Sequence, residues 1–393
     1  MINEKITELI SQHENDLIAL RRYLHENPEL SSEEYETTQL IVEKLNELGI
    51  PYKKTNPTGV IAEIKGGKPG KTVALRADMD ALPVYELNRE LEYRSKKDGI
   101  MHACGHDAHT AMLLTAVRAL NDVKEELQGN IRLLFQPAEE QARGAKWLID
   151  QGAMHGVDNV FGIHIWSNAP TGEVSSQVGP SFAAADIFKV TFKGKGGHGA
   201  MPQQANDATI MMAQYVNNIQ AIVSRELDPL HPAVVTVGKM SSGIRFNVIA
   251  EDSFCEGTVR TFDSEARDTI EAKLEEYANA IAAMYHADYT FEYDRMTDAV
   301  NNEEKSAKLI ESIAKEAFGE ESFKNLVPTM GGEDFGFYLS NCPGAFATVG
   351  CANEEKDTCW AHHNGNFNID EDALKVGAEL YAQYAWAYLK EKE

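Results

Sequence analysis

Over the first fifty positions, apolar residues recur three and four apart. Ile6, Leu9, Ile10, His13, Leu17, Leu20 and Leu24 share one helical face, which predicts an amphipathic helix over 3–24 with Pro28 beyond its end. A second helix is predicted from Ser31, where Glu34 three residues on completes a capping-box pattern. It runs through Leu40, Ile41, Leu45 and Leu48 and stops at Gly49. The pattern then changes to short apolar runs at 60–64 and 72–77, joined by the turn-forming GGKPG, as buried strands are. Residues 111–120 read as helix, and 131–135 and 160–166 as strands, the first ended by Pro137, which cannot continue a central ladder.

Near Ser181 the rhythm shifts. A strand at 187–192 is followed by a glycine-rich turn with His198 and a helix at about 206–225. Strands follow at 233–239, 246–249 and 253–261, then a helix at 264–285 and a strand at 289–293. Polar residues alternate within these strands, as in FCEGTVRTF, which fits a sheet with two helices on one face and the other face exposed or paired. From about Thr297 the first pattern resumes, with a helix at 307–318, the tight turn GGEDF, a short strand at 345–349, the loop WAHHNGNF and a closing helix at 370–389. The expected architecture is a mixed-sheet α/β domain built from 1–183 and 297–393, with a smaller α+β domain, 184–296, inserted between its halves.

Composition narrows the possibilities without naming a chemistry. A chain of 393 residues suits two or three domains. No apolar run is long enough to cross a bilayer, and MINEKITELI lacks the basic-then-apolar order of a secretory signal. A formal net charge of −24 argues against nucleic acid and anionic membranes as partners. Five scattered cysteines do not form a disulfide framework, so the expected compartment is the reducing cytoplasm, where a thiolate ligand stays available.

The chemistry concentrates in MHACGHDAHT, residues 101–110, which holds Cys104, His102, His106, His109 and Asp107. Cys104 and His106 flank Gly105 in C-x-H spacing, so a tight turn can present both to one ion. The strand at 72–77 ends in Arg76, Asp78 and Asp80, polar residues where an α/β sheet builds sites. Glu139 and Glu140 follow Pro137, and consecutive side chains diverge, so one can ligate while its neighbour faces substrate. His164 interrupts the apolar FGIHIW, and His362 and His363 sit in the last loop. Ligands this dispersed, with carboxylates among them, suit a catalytic rather than a structural site. Two ions there can share a hydroxide and polarise a carbonyl, with the spare glutamate as general base. Two rival readings are a cysteine hydrolase with Cys104 as nucleophile and a metal- or amino-acid-binding protein without turnover. The acidic residues argue against the first, and retention of both glutamates against the second.

Together, ALRADMDALP, MHACGHDAHT, LLFQPAEE, GGHGAMP and HHNGNF resemble, in order and over nearly the whole chain, the amidohydrolase branch of the M20 metallopeptidases. That branch includes N-acyl-amino-acid amidohydrolases, hippurate hydrolases and auxin-conjugate hydrolases. The resemblance implies a hydrolase that cleaves the amide of N-acyl amino acids, an acylase or deacetylase, with a dipeptidase as the nearest alternative. It implies two divalent ions per subunit, manganese first, with zinc, cobalt or nickel as alternatives. Cys104 (bridging), His106, Glu140, His164 and His363 would be ligands and Glu139 the general base, with Asp78 holding a ligand in place. The chain departs from the family pattern in the last loop, with His362 where leucine is common and Asn-Gly where a proline usually sits. His363 matches the ligand by its position four residues before Phe367. The inserted domain resembles the family's lid and dimerisation domain and implies a homodimer or homotetramer. There His198 would stabilise the oxyanion or bind substrate, and Asn247 and Arg260 would bind its carboxylate. Glu333 would support the site from a nearby turn. No role attaches to Cys255, Cys342, Cys351 or Cys359.

Overall fold

The computed structural model describes residues 2–390, which fall into two compact units. The larger comprises residues 2–181, 300–327 and 334–390, and the smaller 182–299 with 328–333.

The larger unit is organised around an eight-stranded mixed sheet. Its four central strands run parallel, in the order Gln128–Gln136, Lys68–Asp78, Asn159–Pro170 and Gly344–Ala352. Parallel strands need both faces covered, which is why they read as nearly continuous apolar runs. Val73, Leu75, Leu133, Phe161, Ile163, Ala347 and Val349 are all fully buried. The helices His106–Asp122 and Asp372–Lys390 pack against the sheet, and the Tyr381 hydroxyl donates to the Arg76 carbonyl at 2.7 Å, pinning the closing helix to the second strand.

Two local expectations give way to tertiary structure. The predicted first helix is two, Glu4–Gln12 and Glu14–Glu26, broken at His13. The Ser31–Glu34 pattern does not cap a helix. The helix begins at Tyr35, and Glu29 accepts the N–H groups of Glu36 and Thr37 instead. Ser31 and Glu34 turn to partners described below.

The smaller unit is a four-stranded antiparallel sheet, in the order Ala233–Ser242, Asp252–Thr261, Ala184–Lys193, Asp288–Thr297. Phe188, Val190, Phe192, Cys255 and Val259 pack with Met211, Tyr215, Ile270 and Leu274 from the helices Ala208–Asn218 and Ser264–Met284. This is the single-sided burial that the alternating strands predict. A short ribbon, Gly197–His198 against Val248–Ile249, stands outside that sheet.

Candidate metal centre

The C-terminal ends of the central parallel strands lie on one side of the sheet, where α/β folds place their sites. The strand Lys68–Asp78 runs out into Asp80, and Gln128–Gln136 runs into Pro137, Glu139 and Glu140. His164 lies two residues past Gly162, the last residue of its strand to pair with the Asp78 strand. Cys104 precedes the helix that starts at His106, with Gly105 between them in the left-handed region at φ 93°. A Cβ on Gly105 would meet Ile165 Cγ2 at 2.4 Å, so only glycine lets this loop close on the His164 strand.

The loop and strand ends converge. Cys104 Sγ lies 3.4 Å from His164 Nε2. Single donor atoms of Cys104, His106 and His164 all lie within 4.8 Å of one another, as do those of Cys104, Glu140 and His363 and those of His106, Glu139 and Glu140. Cys104 therefore belongs to the first two donor groups, and Glu140 links the second to the third. His363 Nε2 stands 3.4 Å from Glu140 Oε1.

Neighbouring groups fix which imidazole nitrogen faces inward. His164 Nδ1 donates to the Ile165 carbonyl at 2.5 Å, leaving Nε2 toward Cys104. His106 Nδ1 is 3.2 Å from Asp80 Oδ1, leaving Nε2 toward the glutamates. His106 Nε2 and Glu140 Oε1 are buried without a hydrogen-bond partner. Orphaned donors of this kind, set around a thiol, fit divalent transition ions, which satisfy imidazole nitrogen, thiolate sulfur and carboxylate oxygen together.

The same crowding shifts protonation. The close approach of Cys104 first and Glu140 second pushes the His363 imidazole up to about 10. Burial disfavours a charge on His106, but Asp78 and Cys104 outweigh it and hold its pKa well above the ordinary histidine range. Burial, with His109 and His362 nearby, pulls His164 well below that range. Burial and the charge of Glu140 push the Cys104 thiol up.

His362 takes no part in the donor groups. Its ring lies between Trp166 and Phe367, with centroids 5.2 and 4.9 Å away, and its Nε2 accepts the Ser167 N–H at 3.3 Å. Burial pushes its pKa down to about 3, so the ring is neutral.

Asp78 is buried and braced by Arg76 Nη1 at 2.6 Å and His109 Nδ1 at 2.5 Å, and it stands 3.8 Å from His106 Nε2. Three residues to which the sequence attached no role emerge beside it. Asp80 faces the outer nitrogen of His106 and accepts the N–H groups of Glu139 (3.2 Å) and Glu140 (3.1 Å). His109 donates to Asp78 and accepts the Ile165 N–H at 2.8 Å. Asp334 receives Arg76 Nη2 at 2.9 Å and Gln136 Nε2 at 2.9 Å. The signal for Asp80 was present, since it sits two residues past Asp78 and so on the same side of an extended chain. Asp107 points elsewhere, to Arg21 Nε at 3.0 Å and His25 Nδ1 at 2.7 Å.

His198, Asn247, Arg260 and Glu333 belong to the smaller unit. The ribbon brings His198 and Asn247 together: His198 pairs with Val248, and the Gly199 N–H donates to the Asn247 carbonyl at 2.9 Å. Arg260 is half-buried on the strand Asp252–Thr261, its Nη1 bonded to Thr258 Oγ1 and, at 3.1 Å, to the Val259 carbonyl. Glu333 is buried.

Comparison with known proteins places this arrangement. Residues 74–387 match the sequence pattern of Peptidase family M20/M25/M40. The chain is 41% identical over 391 residues to thermostable carboxypeptidase 2 of Saccharolobus solfataricus, covering 97% of this chain and 98% of that protein. It is 42% identical over 374 residues to the N-acetyl-L-cysteine deacetylase of Bacillus subtilis, covering 95% and 88% respectively. In structure it resembles Bacillus subtilis YxeP, described as a dinuclear metal-binding peptidase from the M20 family. The TM-score is 0.85 at 35% identity, covering 97% of this chain and 99% of that one.

Proposed function

The chain belongs to peptidase family M20/M25/M40 and is a metal-dependent amidohydrolase; from that premise we propose that it removes the acyl group of N-acyl amino acids using two divalent ions held by Cys104, His106, Glu140, His164 and His363. The observation that carries this reading is the pair of donor groups sharing Cys104, with buried orphan atoms on His106 and Glu140. Two ions bound there would polarise the acyl carbonyl and bring the pKa of a water toward neutrality. Manganese is the first ion to test, with zinc, cobalt and nickel compatible with the same donors.

The chain's own residues supply the rest. Glu139 takes a proton from the attacking water and passes it to the leaving amine as the amide bond breaks. Asp80 orients His106, and Asp78 holds His109 against the His164 strand. In the smaller unit we assign the amino-acid carboxylate to Asn247 and Arg260. The guanidinium of Arg260 suits a carboxylate because its planar fork can pair both oxygens. His198 donates to the oxyanion. We also assign a supporting role to Glu333, which is buried.

The carboxypeptidase similarity favours a second substrate class within the same chemistry, peptides cleaved beside a free carboxylate. A thiolate ligand and five free cysteines suit the cytoplasm, and no described helix is long and apolar enough to cross a membrane. Ile244 and Phe246 lie almost fully exposed beyond the edge strand Ala233–Ser242 of the smaller unit, which favours a homodimer through that face.

Free-amine release from N-acetyl, N-benzoyl and dipeptide substrates tests the reading, with chelated enzyme and with added Mn²⁺, Zn²⁺ or Co²⁺. Metal-restored turnover of N-acyl amino acids is expected. Turnover of dipeptides alone would move the assignment to a peptidase. Turnover that survives chelation and is lost to a thiol alkylator would replace it with cysteine chemistry.

A further inference from the structure

The turn bearing Glu139 and Glu140 has left the sheet, because Pro137 ends the strand that precedes it. Its conformation is set by a second loop, residues 31–34, which is more than a hundred positions away in the chain. Glu34 is fully buried. Its Oε1 accepts the N–H groups of Ala138 and Ser32, each at 2.9 Å, and its Oε2 accepts the Thr58 hydroxyl at 2.5 Å. Ser32 Oγ donates to Gln141 Oε1 at 3.1 Å, and Ser31 Oγ donates to Asp80 Oδ2 at 2.6 Å. Asp80 in turn accepts the Glu139 and Glu140 N–H groups. Three successive backbone N–H groups, of Ala138, Glu139 and Glu140, thus end on two buried carboxylates. Ala138 itself is buried and left-handed, at φ 51°, a conformation a non-glycine residue keeps only when its surroundings impose it.

We propose that Glu34 is a positioning residue for hydrolysis: by holding the Ala138 N–H it fixes the left-handed turn that sends Glu139 toward substrate and Glu140 toward the metals. The inference rests on the reading of Glu139 as general base and Glu140 as ligand. Glu34 belongs to none of the donor groups, and its oxygens are taken by Ala138, Ser32 and Thr58. Its effect is on the direction in which two consecutive side chains leave the backbone, and a misplacement of about an ångström is enough to cost catalysis heavily.

Glu34→Gln keeps an acceptor oxygen within reach of Ala138, whereas Glu34→Asp keeps the carboxyl group and draws the acceptor back by one methylene. With Mn²⁺ saturating, Glu34→Asp is expected to lower kcat about 30-fold with KM within about twofold, and to weaken Mn²⁺ binding about tenfold. Glu34→Gln is expected to recover most of both losses. Glu34→Gln no better than Glu34→Asp, or a folded Glu34→Asp with unchanged kcat and Mn²⁺ affinity, would overturn the proposal. A fall in kcat matched only by a fall in Tm, with Mn²⁺ affinity unchanged, would also overturn it. Glu139→Gln, run alongside, separates the two assignments. If that variant turns over normally, the general-base reading fails, and Glu34 is then judged by the Mn²⁺ affinities alone.

Discussion

His363 Nε2 faces Glu140 Oε1 across 3.4 Å, while its neighbour His362 packs at a tilt against the rings of Trp166 and Phe367 with its Nε2 accepting the Ser167 N–H. Adjacent residues in one loop thus take opposite parts. His363→Ala is expected to lose one of two metals per chain and at least about a hundredfold in kcat, whereas His362→Leu keeps both metals. Metal content by elemental analysis checks this. Full metal loading of His363→Ala would show the ligand assignment to be wrong.

Glu139→Gln keeps the shape of the turn and removes the basic carboxylate. The expected loss in kcat is about 10² to 10⁴-fold, the ordinary range for general acid–base catalysis, with both metals retained. Steady-state kinetics on metal-loaded protein decide it.

Protons and metals compete for the same atoms. In the metal-free protein His363 stays protonated up to about 10, and Cys104 is held as a thiol by burial and by Glu140. An ion requires imidazole and thiolate, so metal affinity should rise with pH from 6 to 9. His106, which Asp78 and Cys104 also keep protonated, adds a third proton, so calorimetry in buffers of different ionisation enthalpy should find about three protons released per chain at pH 8. The stability contribution of His363 in the metal-free protein runs the other way. It is fully present below pH 6.5 and lost as pH rises through about 10. Zero proton release would contradict this account.

Asp80 touches no substrate in the proposed scheme, yet it faces His106 and holds both glutamate N–H groups. Asp80→Asn should weaken metal binding by about 10- to 100-fold, the usual cost of losing a carboxylate behind a ligand histidine. Competition with a chelator of known affinity measures it, and an unchanged affinity would remove Asp80 from the site.

What could be read in the sequence was what short spacing and local pattern encode. Cys104 and His106 are two residues apart around a glycine, so their convergence is a local property, and the left-handed Gly105 realises it. The parallel core announced itself through runs that are apolar on both faces. Other features depend on which distant group a side chain meets. Ser31 and Glu34 carry the letters of a capping box, but Asp80 and Ala138 lie closer to hand than the helix they precede. Asp78 and Asp80 share one side of an extended chain, so spacing alone could not tell which would face His106. Only the packing of the His106–Asp122 helix against the strand separates them. The break at His13 is likewise invisible in a hydrophobic stripe that continues through it.

The strand Gly344–Ala352 lies between Asn159–Pro170 and Val174–Ser176, although roughly 170 residues separate it from either in the chain. This has a consequence during synthesis. When His164 leaves the ribosome, the sheet has no partner for its far edge, and at about 5 to 20 residues per second the chain needs about 10 to 40 seconds more to deliver His363. Over that interval Cys104, His106 and Glu140 exist without their last companion, beside an open apolar strand edge. The smaller unit, whose strands all lie within 184–297, is complete by then. The nascent protein therefore carries one finished domain and one exposed half-sheet, and pulse-labelled chains stalled before residue 344 should be the species that chaperones hold and proteases cut.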